Sequence, residues 1–229
     1  MRKLAIITRA DDNITELSDL TFPYLKKYAK FCNADFIVIN DPEELHPHYR
    51  ILQFYELFNI YDRIMSLDCD VLIMKTCPDL FKIVKENKIG TIFEDVGTRK
   101  FDRRDRLKKI QDKFGDLGIK SGYINTGVAV FSKQHQDIFK HDKDTELYMD
   151  LGFDDVYLKY QIVKHNFEIQ ELDYTYNHMS MFSEDWNNNA PRFKSKIIHY
   201  AGGGFYRNIP RLEQLKQDEL LLRKYEMLI

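Results

Sequence analysis

The chain has 229 residues, with 34 Lys and Arg against 36 Asp and Glu and a net charge of −2. That balance excludes the strong basic excess of a nucleic-acid binder. At 44% hydrophobic and 31% charged residues, it also excludes wholesale disorder and a collagen-like repeat. The length suits one large domain with a substantial core, and neither an internal repeat nor a low-complexity linker divides it. Cys32, Cys69 and Cys77 are too few and too scattered for a disulfide framework, and there is no CxxC pair. The apolar run near the N-terminus is about five residues, too short for a signal peptide or a membrane span. A reducing, cytoplasmic setting is expected.

Leu4 to Thr8 is a short β-branched run ending in Arg9-Ala10-Asp11-Asp12, which predicts a buried strand delivering a loop. Asp19 to Cys32 has helical spacing, with Leu20, Tyr24, Tyr28 and Phe31 on one face. Asp35 to Asn40 reads as a second strand, His48 to Tyr61 as an amphipathic helix and Arg63 to Leu67 as a third strand leading into Asp68-Cys69-Asp70. Val71 to Met74 continues apolar. A short helix is expected over Asp79 to Glu86 and a strand over Gly90 to Phe93. Residues 94–121 are dense in charge, and suit either a solvated helix with loops or a segment over the site. Tyr123 to Phe131 is strand-like, Thr145 to Val163 helical, and Phe167 to Leu172 and Lys196 to His199 are strands. Between them, Tyr174 to Pro191 reads as an ordered loop. Pro210 to Ile229 closes as an amphipathic helix; its leucines either pack on the domain or, over about 211–229, dock a partner or further domain. The alternation predicts an α/β fold with a mostly parallel central sheet and helices on both faces. Ligands of such sheets bind beyond the carboxyl ends of the strands.

At one such end stand Asp68 and Asp70. In an extended segment side chains two apart point the same way, so the two carboxylates share a direction. Clustered carboxylates repel, and a divalent cation removes the repulsion. Hard cations such as Mg²⁺ and Mn²⁺ prefer oxygen ligands and commonly hold substrate phosphates as well. Asp142-Lys143-Asp144 has the same spacing, but no strand precedes it and it reads as solvated surface.

The run from Tyr61 to Ile73 (YDRIMSLDCDVLI) resembles the hallmark of GT-A-fold glycosyltransferases, and most nearly the glycogenin-like, retaining family eight group. Three further segments match in the same order: Asn125 to Phe131 (NTGVAVF), Phe153 to Leu158 (FDDVYL) and Ile197 to Gly202 (IIHYAG). The resemblance spans residues 4 to about 207. It implies a single Rossmann-like GT-A domain that moves a sugar from a nucleotide-sugar donor to a hydroxyl acceptor. The donor implied is a UDP-sugar, glucose or a relative, and the outcome retention.

Carried over by position, the resemblance makes Asp68, Asp70 and His199 the metal ligands. The imidazole suits Mn²⁺ more than Mg²⁺. Asp68 would also contact the ribose. Thr8 would meet the nucleobase or ribose, with Arg9 beside it. Asn125, Thr126 and Gly127 would line the sugar pocket. Asp154 and Asp155 would be the catalytic pair, Asp154 near the anomeric carbon and Asp155 at the family's Gln or Glu. Gly202, Gly203 and Arg207 would approach the diphosphate. The family's Lys after the ending His is replaced here by Phe205, leaving Arg207 the nearest cation. Its Lys before the acid pair is also missing, with Arg50 nearby as a substrate-binding candidate. In the 94–121 segment, Arg99 and Arg103 are expected to meet an acceptor or the diphosphate.

Other histidines look bland, and His46-Pro47-His48 reads as an exposed turn. There is no GxGxxG and no GxxxxGK[ST], which weighs against a dinucleotide oxidoreductase or a P-loop NTPase. The rivals are a non-catalytic sugar-nucleotide-binding or interaction module, an inverting glycosyltransferase and a metal-dependent phosphohydrolase. The oligomeric state is not legible.

Overall fold

The computed structural model describes residues 2–40, 46–142, 144–202 and 209–229. Gly203 and Arg207, two of the expected substrate-binding residues, lie outside the described residues, as does Lys143. In chain order the elements are β1 (Leu4–Arg9), α1 (Thr15–Phe31), β2 (Asp35–Ile39), α2 (Phe54–Leu57), β3 (Arg63–Leu67), β4 (Val71–Ile73), α3 (Leu80–Ile83) and β5 (Lys88–Thr91). They continue with α4 (Lys100–Phe114), β6 (Val128–Ser132), α5 (Phe153–Lys164), β7 (Glu168–Glu171), β8 (His178–Met179), β9 (Ile197–His199) and α6 (Arg211–Lys224).

Six strands form one sheet in the order β2-β1-β3-β6-β5-β7. The β1–β2, β1–β3 and β5–β7 pairs are parallel, and β6 runs antiparallel to both neighbours. Side chains alternate between two cores, as the two-residue period of a strand requires. Ala5, Ile7, Ile64, Ala129 and Phe131 face a core shared with Phe54, Leu107 and Tyr157, from α2, α4 and α5. Ile6, Met65, Leu67, Val128 and Val130 face the other, shared with Leu25 and Tyr28 of α1 and Leu80 of α3. The central strands are therefore apolar on both faces, as the sequence pattern requires of a sheet covered on both sides.

A second sheet, β4-β9-β8, was not legible in the pattern. Val71 to Met74 reads as an apolar continuation of β3, but the chain turns at Asp68–Asp70 and β4 leaves the main sheet to pair antiparallel with β9. β8, only two residues long, hides inside the aromatic stretch expected to be loop. Helix boundaries differ for local reasons. The expected His48–Tyr61 helix is a 3-10 stretch over Pro47–Gln53 followed by the single turn α2. The expected Thr145–Val163 helix begins only at Phe153, because Gly152 sits at φ +101° and breaks the run before it. In the charged segment, α4 is a regular helix. Leu215 and Leu222 of α6 are buried against Leu17, Tyr24 and Tyr200, so that face of the helix packs on its own chain. Leu220 and Tyr225 point outward. Among the described residues no helix is long and apolar enough to cross a membrane.

Candidate active site

Three strand pairings bring together residues far apart in sequence. Antiparallel β3–β6 sets Leu67 opposite Val128, and the Asp68 N–H donates to the Gly127 carbonyl at 2.8 Å. Antiparallel β4–β9 sets Val71 opposite His199, and the Tyr200 N–H donates to the Asp70 carbonyl at 2.9 Å. Parallel β8–β9 sets Met179 beside His199, which leaves Asn177 next to the imidazole. The outcome is one cluster: one ligand atom each of Asp68, Asp70 and His199 lies within 4.8 Å of the others. His199 Nε2 is 3.2 Å from Asp70 Oδ1 and 3.6 Å from Asp68 Oδ2.

The cluster fits a divalent cation on its own geometry. Asp70 Oδ1 and His199 Nε2 are buried, face one another at 3.2 Å and have no well-formed hydrogen bond among the described residues, an arrangement that a cation held by both would relieve. Gly127 opens the cradle: a Cβ there would lie 2.3 Å from His199 Cε1 and 2.7 Å from Asp68 Oδ2. Two carboxylates and an imidazole form a donor set for Mn²⁺ or a similar ion. Without the ion, burial disfavours charge on both groups, yet the carboxylates hold the His199 pKa up, and His199 and Arg211 hold that of Asp70 down.

A second acidic centre adjoins the first. Arg9 Nη2 donates to Asp68 Oδ1 at 2.7 Å and Arg9 Nη1 to Asp154 Oδ2 at 2.8 Å, so one guanidinium joins the acid pair to the start of α5. An aspartate in a first helical turn commonly caps it. The Asp154 side chain does not: besides Arg9 it accepts from the Thr126 hydroxyl at 2.9 Å and stands 3.3 Å from His48 Nδ1. Burial raises the Asp154 pKa, but Arg9 and His48 outweigh it and hold the group ionised below the usual carboxylate range. Asp155 is the opposite. Burial, Asp154 and Glu94 push its pKa well up, while its Oδ1 accepts the Thr126 N–H at 2.7 Å.

The other expected site residues are placed as follows. Thr8 is buried, and its hydroxyl lacks a hydrogen-bond partner. Arg50 turns inward to pair with Asp11 at 2.9 Å, bracing the loop after β1. The side-chain amide of Asn125 is engaged within the protein, donating to Glu94 at 2.6 Å and accepting from Asn177 at 2.8 Å. Gly202, at φ +75°, turns the chain just past His199. The expectation for Arg103 is corrected: it is buried, and its Nε donates to Glu94 at 2.6 Å, because α4 lays that face on the core. Arg99 lies over the Phe182 ring. Sequence reasoning also missed four residues. His48 is exposed, as read, but also stacks parallel on Phe153 and reaches Asp154. Arg211, at the start of α6, donates to Asp70 Oδ2 at 3.1 Å. Glu94 could have been found, being the first acid beyond the Gly90–Phe93 strand; Asn177 had no comparable mark.

The model of glycosyl transferase family 8 matches residues 10–204 of this sequence. The chain belongs to that family. No curated protein matches it by sequence. Among solved structures it resembles a glycosyltransferase involved in glycosylating the major capsid of the virus PBCV-1, at 14% identity and TM-score 0.59, covering 95% of this chain and 99% of that one. It also resembles the galactosyltransferase LgtC in complex with donor and acceptor sugar analogs, at 17% identity and TM-score 0.57, covering 95% of each. The bifunctional WbbM matches at 13% identity and TM-score 0.60 over 97% of this chain, which spans about half (51%) of that protein. At these identities the likeness establishes the fold, which is GT-A.

Proposed function

We propose that this family 8 glycosyltransferase moves a hexose from a UDP-sugar, glucose or a close relative, to a hydroxyl of a glycan or other acceptor, with retention. Mn²⁺, or Mg²⁺ in its place, is held by Asp68, Asp70 and His199. The observation that carries this reading is the buried pair Asp70 Oδ1 and His199 Nε2, facing one another at 3.2 Å at the carboxyl edge of the main sheet with no well-formed hydrogen bond among the described residues.

A bound cation neutralises the diphosphate leaving group. The remaining work falls to the chain. Arg9 and Arg211 flank the acid pair in one depression with His48, and their planar guanidinium groups suit phosphate oxygens. Arg211 thus offers the charge that the family places on a Lys here replaced by Phe205. Asp154, kept ionised by Arg9, supplies negative charge where the anomeric carbon becomes oxocarbenium-like. Burial, Asp154 and Glu94 push the Asp155 pKa up, which makes it the weaker candidate of the two for a general base. An assembled acid centre argues against a non-catalytic module. The three free cysteines suit a cytoplasmic location.

Calorimetry with UDP, GDP and CMP, with and without Mn²⁺, tests the donor. UDP should bind tightly only with Mn²⁺, and a panel of UDP-sugars should be hydrolysed slowly under the same requirement. Tighter binding of GDP or CMP rejects the uridine donor. Undiminished turnover in excess chelator rejects the metal.

A further inference from the structure

A ligating histidine has two ring nitrogens, and only the unprotonated one can hold a metal. Which one is protonated is set by the partner of the other. In this protein that partner is the end of a buried side-chain chain. His199 Nδ1 lies 2.8 Å from Asn177 Oδ1, Asn177 Nδ2 donates to Asn125 Oδ1 at 2.8 Å, and Asn125 Nδ2 donates to Glu94 Oε1 at 2.6 Å. The other Glu94 oxygen takes the Nε–H of Arg103 at 2.6 Å. All five side chains are buried.

The chain has a fixed direction. A carboxylate can only accept, so Asn125 must present its NH₂ to Glu94. The Gly127 N–H, which can only donate, meets Asn125 Oδ1 at 3.0 Å and favours the same orientation, with Glu94 the charged acceptor at the other end of the amide. Asn177 must then give its NH₂ to Asn125 and keep its oxygen for His199. Turned over, it would set two oxygens 2.8 Å apart in a buried site. An acceptor facing Nδ1 requires a proton there. On a neutral ring this leaves Nε2 bare on the side of Asp68 and Asp70, where a cation would sit.

We propose that Glu94 and Asn177 are positioning residues that fix His199 in the Nδ1–H tautomer and so prepare its Nε2 for the cation. This rests on the metal reading above. It also assigns a task to α4: through Arg103, the charged helix stabilises the acceptor that sets the tautomer, and does not contact substrate there.

The test reads the ring and the metal separately from turnover. Long-range ¹H–¹⁵N correlation spectra of the wild-type protein, at a pH where His199 is neutral, should show Nδ1 protonated and Nε2 bare. Free Mn²⁺ counted by electron paramagnetic resonance should give a Kd about 10–100-fold weaker in Glu94→Gln and in Asn177→Leu, the range for groups that orient a ligating histidine. In the same variants the ring spectrum should shift toward Nε2–H. A wild-type ring protonated at Nε2 overturns the proposal. So do variants that bind Mn²⁺ within twofold of wild type, or that lose affinity with the ring still Nδ1–H. If the variants do not fold, the wild-type spectrum decides alone. If the wild-type protein binds no Mn²⁺, the metal reading fails, while the ring spectrum still decides the tautomer.

Discussion

Gly127→Ala adds one methyl group at the point where the acid cluster has no room for it. The backbone there is not in the left-handed region, so alanine meets no conformational penalty and the collision is with side chains alone. The new Cβ would stand 2.3 Å from His199 Cε1 and 2.7 Å from Asp68 Oδ2, where ordinary contact begins at 3.4 Å. The imidazole must therefore retreat by about 1.1 Å, and the carboxylate oxygen by about 0.7 Å. Neither has slack. His199 is tied to Asn177 at 2.8 Å and held in β9 against Val71, and Asp68 is tied to Arg9 at 2.7 Å. Metal–ligand distances tolerate only about 0.2 Å. Overpacking should cost about 1–3 kcal/mol of stability, which a protein of this size survives. Metal affinity should fall by at least about 100-fold, beyond what loss of one orienting hydrogen bond does. Thermal melts by circular dichroism read the first quantity and titration of free Mn²⁺ the second. A folded Gly127→Ala protein that binds Mn²⁺ within a few-fold of wild type would falsify the cradle and the ligand set built on it.

Asp70→Asn and His199→Ala should each abolish Mn²⁺-dependent hydrolysis of a UDP-sugar while circular dichroism stays near wild type. Asp142→Asn should leave that activity intact, and equal damage at Asp142 would mean the wrong carboxylates have been chosen. Asp154→Asn should lose transfer and Asp155→Asn should retain it, measured as turnover with donor in excess. Asp155 also predicts a pH dependence. The folded protein keeps this proton above the ordinary carboxyl value of about 3.9 while the unfolded chain releases it, so stability declines as pH rises from about 4 through the raised folded value. In urea melts Asp155→Asn should match wild type near pH 4 and exceed it at pH 8; parallel pH profiles would show that the carboxyl is not protonated. Arg103→Ala leaves Glu94 buried without its counter-ion and should cost about 3–5 kcal/mol, whereas Arg99→Ala should cost within about 0.5 kcal/mol. Equal, small losses in denaturant titrations would return Arg103 to the surface.

Strand period, the short spacing of Asp68 and Asp70, and the order of four motifs are local, and a sequence displays local things. They were enough for the doubly covered sheet and the acid pair. His199 lies 129 positions beyond Asp70 and was reached only through resemblance, because what joins them is the β4–β9 pairing in a second sheet too short to leave a pattern. His48 meets Asp154, Arg211 meets Asp70, and Asn177 meets His199 through the same kind of closure, and nothing in their own neighbourhoods announces it. The arginine-rich segment shows the converse error. Its cations drew attention by density, yet acids in the same stretch pair with several of them. Arg103 finds Glu94, Arg104 finds Asp95, Arg106 finds Asp102 and Lys109 finds Asp105. Each of these pairs ties a cation to the protein itself, although the helix keeps more Lys and Arg than Asp. Among the described residues, the cations that face the acid pair come singly, from a strand end and a helix start: Arg9 and Arg211. Composition points to where charge is abundant. Function at this site depends on which charges folding brings together.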